Sequence, residues 1–177
     1  HKSKPALIQK QPIVDIAIAP SDRKVMYVAY DNCCWDPGEP MVRTLNATDP
    51  IPVWDVIPNS ALNGYPVFYG ITHLAVAPDN PDKLWVTFGK FWNQDDSNRS
   101  RVLQSDNGGI TFMDITSPVP HNEMGLPNLP VNCIKVIGNS TDGYKIFIGN
   151  DLGVYLYDTQ NNPVWTLFSH HLPPAIV

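Results

Sequence analysis

The stretch IVDIAIAP at residues 13–20 returns as ITHLAVAP at residues 71–78 and, more loosely, as VNCIKVIG at residues 131–138. The three copies start at residues 13, 71 and 131, so they are 58 and 60 residues apart. Self-similarity at a long, nearly fixed period indicates a repeat architecture. Each copy is almost continuously apolar, which is typical of a strand buried on both faces.

Each repeat continues with three more short apolar stretches. Pro, Asn, Asp and Gly, the residues that tight hairpins require, follow the first stretch. The predicted second strands cover residues 25–30, 84–88 and 145–149, and the third strands lie near residues 41–45, 101–105 and 153–157. An aromatic residue marks the fourth strands, at residues 53–56, 111–115 and 164–168. Four short antiparallel strands in each repeat predict the blades of a β-propeller.

The predicted fold is therefore all-β: three four-stranded antiparallel blades of an incomplete propeller. The blades are assigned to residues 1–66, 67–125 and 126–172, and residues 173–177 are interpreted as the start of a further blade. A closed propeller has about four to eight blades, so three cannot close a ring. The expected partners are the remaining blades or adjacent domains of the same protein.

Composition excludes two classes of function. The net charge is −5 and the sequence pI is about 5.3, whereas nucleic-acid binding requires a clustered basic face. The sequence contains no apolar run close to 18 residues, so no membrane span is expected.

The hairpin SDNGGITF at residues 105–112 resembles the Asp-box, written S-x-D-x-G-x-T-W. Ser105, Gly109 and Thr111 match that pattern, Asn107 stands in place of the Asp, and Phe112 replaces the Trp. The chemistry suits a turn, because an Asn side chain caps nearby N–H groups and Gly adopts positive φ. An aromatic residue then anchors the next strand.

Asp-boxes occur in sialidases, sortilin-type receptors, two-propeller xyloglucanases and large secreted bacterial proteins. Residues 117–134, 146–155 and 165–168 are most similar to the propellers of Bacteroidetes-type cell-surface proteins exported by type IX secretion. The resemblance implies a non-catalytic scaffold, adhesin or binding platform that is secreted or held at the cell surface. Two alternatives are a glycoside hydrolase with its catalytic carboxylates outside this chain and a sortilin-like ligand receptor.

Asp15, His73 and Cys133 occupy the same position in the three repeats and suggest a metal site. Packed sheets lie about 10 Å apart, whereas metal–ligand distances are about 2 Å. A structural role is therefore favoured, and neither a metal nor a cofactor is expected.

Nothing in the sequence pairs two carboxylates for catalysis, so no catalytic residue is assigned. The loop carboxylates considered are Asp36, Glu39, Asp95, Asp96 and Glu123. The loop aromatics Trp35, Phe91 and Trp92 are candidates for contact with a protein or glycan ligand. The alternative is that they pack against the outer edge of a blade.

Overall fold

The computed structural model describes residues 11–31, 39–62, 70–89, 100–117 and 125–169. These residues form three four-stranded antiparallel sheets, in which each strand pairs with its neighbours in sequence. The strands of blade 1 are β1 (Ile13–Ile18), β2 (Met26–Tyr30), β3 (Met41–Thr44) and β4 (Asp55–Ile57). Those of blade 2 are β5 (Ile71–Val76), β6 (Leu84–Phe88), β7 (Val102–Ser105) and β8 (Met113–Asp114). Those of blade 3 are β9 (Cys133–Asn139), β10 (Gly143–Asn150), β11 (Gly153–Asp158) and β12 (Asn162–Leu167).

The prediction of an all-β fold with three four-stranded sheets is confirmed. Within the described ranges, the helical structure is one 3₁₀ turn at Asn59–Leu62. The third inner strand begins two residues later than predicted, because the Val131 N–H donates to the Phe88 carbonyl of blade 2 at 3.1 Å. Strand β8 is shorter than predicted because Thr111 belongs to the preceding turn, where its N–H donates to Asn107 Oδ1 at 3.0 Å.

Blades 1 and 2 pack face to face through an apolar core. Blade 1 contributes Tyr27, Met41 and Ile57, and blade 2 contributes Leu103 and Phe112, all of them buried. At the edge of this core the Tyr27 hydroxyl donates to the Pro81 carbonyl at 2.8 Å. The burial of these large side chains removes apolar surface from water, and this is the main force that holds the two sheets together.

Blades 2 and 3 share a second core that contains more aromatic side chains. Trp85 is fully buried and meets the ring of Tyr144 edge-on, with 5.5 Å between the ring centroids. Trp165 of blade 3 donates its indole N–H to the Ile115 carbonyl at 2.7 Å. An indole buried with its N–H bonded combines a large apolar area with a satisfied polar group.

Blade 1 has a face that points away from blade 2. Ile16, Val28, Val42 and Val56 pair successively across β1 to β4 and so form one row on that face. Ile16 is 52% exposed and Ile18, further along β1, is 51% exposed. Val28 and Val42 are buried, so the name free face of blade 1 refers to the exposed residues Ile16, Ile18 and Val56 on this side of the sheet.

Blade 3 also has a free face on the side away from blade 2. Ile137 and Phe168 are 54% and 55% exposed there, and Phe168 meets Phe147 edge-on. Of the three described inner strands, only β5 has a blade against each face, through contacts with β1 and β9. Blades 1 and 3 therefore each leave one face of the inner strand without a described blade against it, as expected for three blades that do not close a ring.

Because neighbouring strands run antiparallel and follow one another in sequence, the turns of each blade lie at two opposite ends of its sheet. The turns between first and second strands, and between third and fourth strands, lie at one end. We call this the hairpin end. It includes residues 77–83 and 106–112 of blade 2 and residues 140–142 and 159–161 of blade 3.

Candidate functional site

The turn at residues 105–112 is held by side-chain hydrogen bonds. Ser105 Oγ accepts from the Gly109 N–H at 2.9 Å, and Asn107 Oδ1 accepts from the Thr111 N–H at 3.0 Å. Asn107 Nδ2 also donates to Thr111 Oγ1 at 2.9 Å. Asn107 thus caps a backbone N–H inside the turn, as expected, and Phe112 is buried between blades 1 and 2. Membership of the Asp-box class stays a prediction.

The two glycines of this turn touch blade 1, which the sequence did not indicate. Gly108 and Gly109 have φ angles of 69° and 87°. Arg43 Nη1 donates to the Gly108 carbonyl at 2.9 Å. A Cβ on Gly109 would lie 2.6 Å from Ile57 Cδ1. The turn is therefore part of the contact between blades 1 and 2 as well as a local hairpin.

Replacing Gly109 by Val should destabilise the protein by about 1–3 kcal/mol, because a β-branched residue is strongly disfavoured at positive φ. The new side chain would also displace Ile57. The measurement is the midpoint of chemical denaturation. Ile110→Val is the matched control, since Ile110 is the next residue and is exposed, and it should change stability by less than about 0.5 kcal/mol. Equal midpoints for the two variants would contradict this role of Gly109.

The structure brings two of the three equivalent inner-strand residues together. Asp15 Oδ2 accepts from the Leu74 N–H at 2.7 Å and lies 3.3 Å from His73 Nδ1. The expectation that sheet spacing separates these positions is wrong for this pair, because the inner strands of adjacent blades are close together. The described residues contain no group of three His, Cys, Asp or Glu side chains suited to a metal ion. These contacts join blades 1 and 2, in keeping with the structural role favoured from the sequence.

Several sequence-predicted residues lie outside the described ranges. They are Trp35, Asp36, Phe91, Trp92, Asp95, Asp96 and Glu123. The proposed ligand contacts of Trp35, Phe91 and Trp92 stay predictions. Glu39 is described, and its carboxylate accepts from the Asn59 N–H at 3.1 Å.

A cleft of about 350 Å³ opens between blades 2 and 3 at the hairpin end. We call it the interblade cleft. Lys83, Gln104 and Met113 line it from blade 2, and Tyr157 and Gln160 line it from blade 3. Its volume is at the lower end of the range of about 300–1,000 Å³ that is typical of ligand sites.

The polar groups on the blade 2 side are fixed by a chain of hydrogen bonds. The indole N–H of Trp85 donates to Gln104 Oε1 at 3.0 Å, and Gln104 Nε2 donates to Asp106 Oδ2 at 3.1 Å. Asp106 is also paired with the ammonium of Lys83. The Lys83 Nζ atom lies 5.2 Å from the ring centroid of Tyr144, within the range of a cation–π contact. These groups are therefore held in a fixed arrangement.

Asp79 and Tyr144 connect blades 2 and 3 beside the cleft. The Ser140 N–H donates to Asp79 Oδ2 and the Tyr144 hydroxyl donates to Asp79 Oδ1, each at 2.7 Å. These bonds lower the pKa of Asp79 to about 2. Burial, followed by the hydrogen bond to Asp79, raises the pKa of Tyr144 to about 12.

The pKa of Asp79 predicts a loss of stability in acid. Its folded pKa lies below the ordinary value of 3.8, so the stabilisation is present above about pH 4 and is lost as the pH falls towards 2. Asp79→Asn removes the titrating group, so the variant should lose less stability than the wild type over this window. Urea midpoints measured at pH 5, 4, 3 and 2 test this. Parallel curves for the two proteins would show that Asp79 does not contribute.

No helix in the described part of the chain has the length and hydropathy to cross a membrane.

Comparison with known proteins shows the fold. No protein-family model matches the chain, and no curated protein matches it. Among solved structures, it is similar to YCF48 from Cyanidioschyzon merolae, with a TM-score of 0.54 and 13% sequence identity. The match covers 91% of this chain and 41% of that one. The chain therefore spans about two fifths of the length of that structure.

At this identity the likeness shows the fold alone. The three packed antiparallel sheets and the propeller neighbour together define the chain as an incomplete β-propeller.

Proposed function

We propose that this chain is a non-catalytic β-propeller module that serves as a scaffold, adhesin or binding platform in a secreted or surface-anchored bacterial protein. The propeller part of this proposal is supported by the fold. The bacterial and exported parts are supported by the sequence resemblance to Bacteroidetes-type surface propellers.

The non-catalytic role is supported by the hydrogen bonds that the described carboxylates accept. Nine of the described aspartates accept hydrogen bonds from residues of their own blade or of the neighbouring blade, and they are Asp15, Asp22, Asp49, Asp79, Asp106, Asp114, Asp142, Asp151 and Asp158. Hydrolysis of a glycoside needs two carboxyl groups that flank a cleft, one of them with a raised pKa. Hydrogen bonding instead lowers the pKa of Asp79 to about 2 and also lowers that of Asp158. These carboxylates stabilise the blades.

The free faces of blades 1 and 3 support a place within a larger assembly. Solvent-exposed isoleucines on a sheet face are what a neighbouring blade would cover. A solved propeller that is more than twice as long as this chain provides a template for such further blades. We propose that remaining blades or an adjacent domain of the same protein cover both faces.

The test is hydrolysis of tamarind xyloglucan and of a fluorogenic sialoside, by this chain and by the longer protein that carries the remaining blades. We expect no release of sugar by the chain. Asp106→Asn and Asp114→Asn provide the controls. Turnover by the chain that either substitution abolishes would overturn the proposal. Turnover by the longer protein that persists in both variants would place catalysis outside this chain and agree with it.

A further inference from the structure

We infer that the interblade cleft is a binding site for a neutral saccharide. The inference rests on the proposed binding role and adds to it a location and a class of ligand. The site lies at the hairpin end and is formed entirely by described residues of blades 2 and 3.

Lys83 and Asp106 place a hydrogen-bond donor next to an acceptor. Adjacent hydroxyl groups of a sugar each donate and accept, so they are best recognised by a donor next to an acceptor. Lys83 lines the cleft with 16% of its side chain exposed. Its ammonium contacts the carboxylate of Asp106, which lies beside the lining residues and has a side chain that is 60% exposed. An ammonium has three donors, and among the described residues Asp106 is the one carboxylate that Lys83 contacts. The Lys83 ammonium can therefore still donate hydrogen bonds to a ligand, and the adjacent Asp106 carboxylate can still accept them.

The charges at the cleft are balanced. Asp106 compensates the positive charge of Lys83, which lines the cleft. The other polar side chains of the lining are uncharged, and they are the amides of Gln104 and Gln160 and the hydroxyls of Ser140, Thr159, Tyr144 and Tyr157. A phosphate or carboxylate ligand would find no uncompensated cation there. The composition of the cleft therefore favours a neutral polar ligand over an anion.

The cleft also has an apolar surface beside its polar groups. Met113, Ile115 and the ring of Tyr157 line the same cleft. Sugars carry C–H patches between their hydroxyls, and an aromatic or thioether surface covers such patches. The ring of Tyr157 is held against Trp165, with 5.2 Å between the centroids. A fixed ring loses little conformational entropy when a ligand packs on it.

The test is saturation-transfer NMR on the full chain with cellotetraose, xylotetraose, lactose and N,N′-diacetylchitobiose, and with phosphate and acetate as charged probes. At least one neutral saccharide should bind. Gln160→Ala alters an exposed turn residue and should weaken binding about tenfold, because it removes one hydrogen-bonding group. Lys83→Met should weaken it further. Leu152→Ala is the matched control in blade 3, at the opposite end, and should leave affinity unchanged.

Binding of none of the saccharides, binding of the charged probes alone, or equal affinity in Gln160→Ala and Leu152→Ala would each overturn the inference. Gln160→Ala keeps the test valid if Lys83→Met fails to fold. Saccharide recovered intact after binding agrees with both proposals. Cleavage of the bound saccharide would contradict the non-catalytic role and leave the location of the site standing.

Discussion

In isolation, the 177-residue chain should self-associate, with a light-scattering mass that rises with concentration above the monomer mass of 19.7 kDa. The cause is the free face of blade 1, where Ile16 and Ile18 are about half exposed beside the buried Val28 and Val42. Soluble monomers rarely expose apolar patches larger than a few hundred Å². A version of the protein in which further blades cover this face, as proposed above, should be monomeric.

Charged substitutions on that face should suppress the association. Ile16→Lys combined with Ile18→Lys places two positive charges on the free face without altering the core between blades 1 and 2. Ile51→Lys is the control, because Ile51 is 83% exposed in the turn between β3 and β4. We expect the double variant to approach the monomer mass and the control to behave as the wild type. A monodisperse wild-type monomer would contradict the fragment interpretation.

Trp85→Ala should cause the largest loss of stability of any single substitution proposed here, about 3–5 kcal/mol. Trp85 is fully buried between blades 2 and 3, its ring meets Tyr144, and its N–H donates to Gln104. Removing it leaves a cavity and an unpaired Gln104 oxygen. Domain stabilities are about 5–15 kcal/mol, so much of the protein should unfold at moderate denaturant concentrations.

The matched control for this prediction is Trp54→Ala. Trp54 precedes β4 and is only half-buried, so the same chemical change should cost much less there. Guanidinium denaturation followed by far-UV circular dichroism compares the two variants. Similar midpoints would show that the core between blades 2 and 3 does not depend on Trp85.

Local sequence signals predicted the strands well and their ends less well. The continuous apolar stretch from Leu84 to Phe88 marked β6 with correct ends, because it is bounded by turn residues. The third inner strand begins later than predicted, because the Val131 N–H donates its hydrogen bond to blade 2 and not to a strand of its own sheet. Strand ends depend on such hydrogen bonds to distant residues, which a local pattern does not encode.

In the candidate site, too, contacts within one turn could be predicted from the sequence and contacts between blades could not. The cap formed by Ser105 and Asn107 joins residues within one turn, so its chemistry could be predicted from eight consecutive letters. The contact between Arg43 and Gly108 joins residues from different blades, as do those between Lys83 and Tyr144 and between Asp15 and His73. Asp15 and His73 meet because the inner strands of adjacent blades lie closer together than the average distance between packed sheets, on which the predicted separation was based.

The sequence by itself determined the repeat, the strand content and the turn chemistry of this protein. These depend on a side-chain period of two and on residues next to one another in the chain. Only the tertiary structure decided which face of β1 stays exposed and which side chains of blades 2 and 3 meet to form the interblade cleft. Those outcomes depend on how sheets formed from segments about 60 residues apart are placed against each other, because residues in different blades interact through space and leave no local pattern in the sequence.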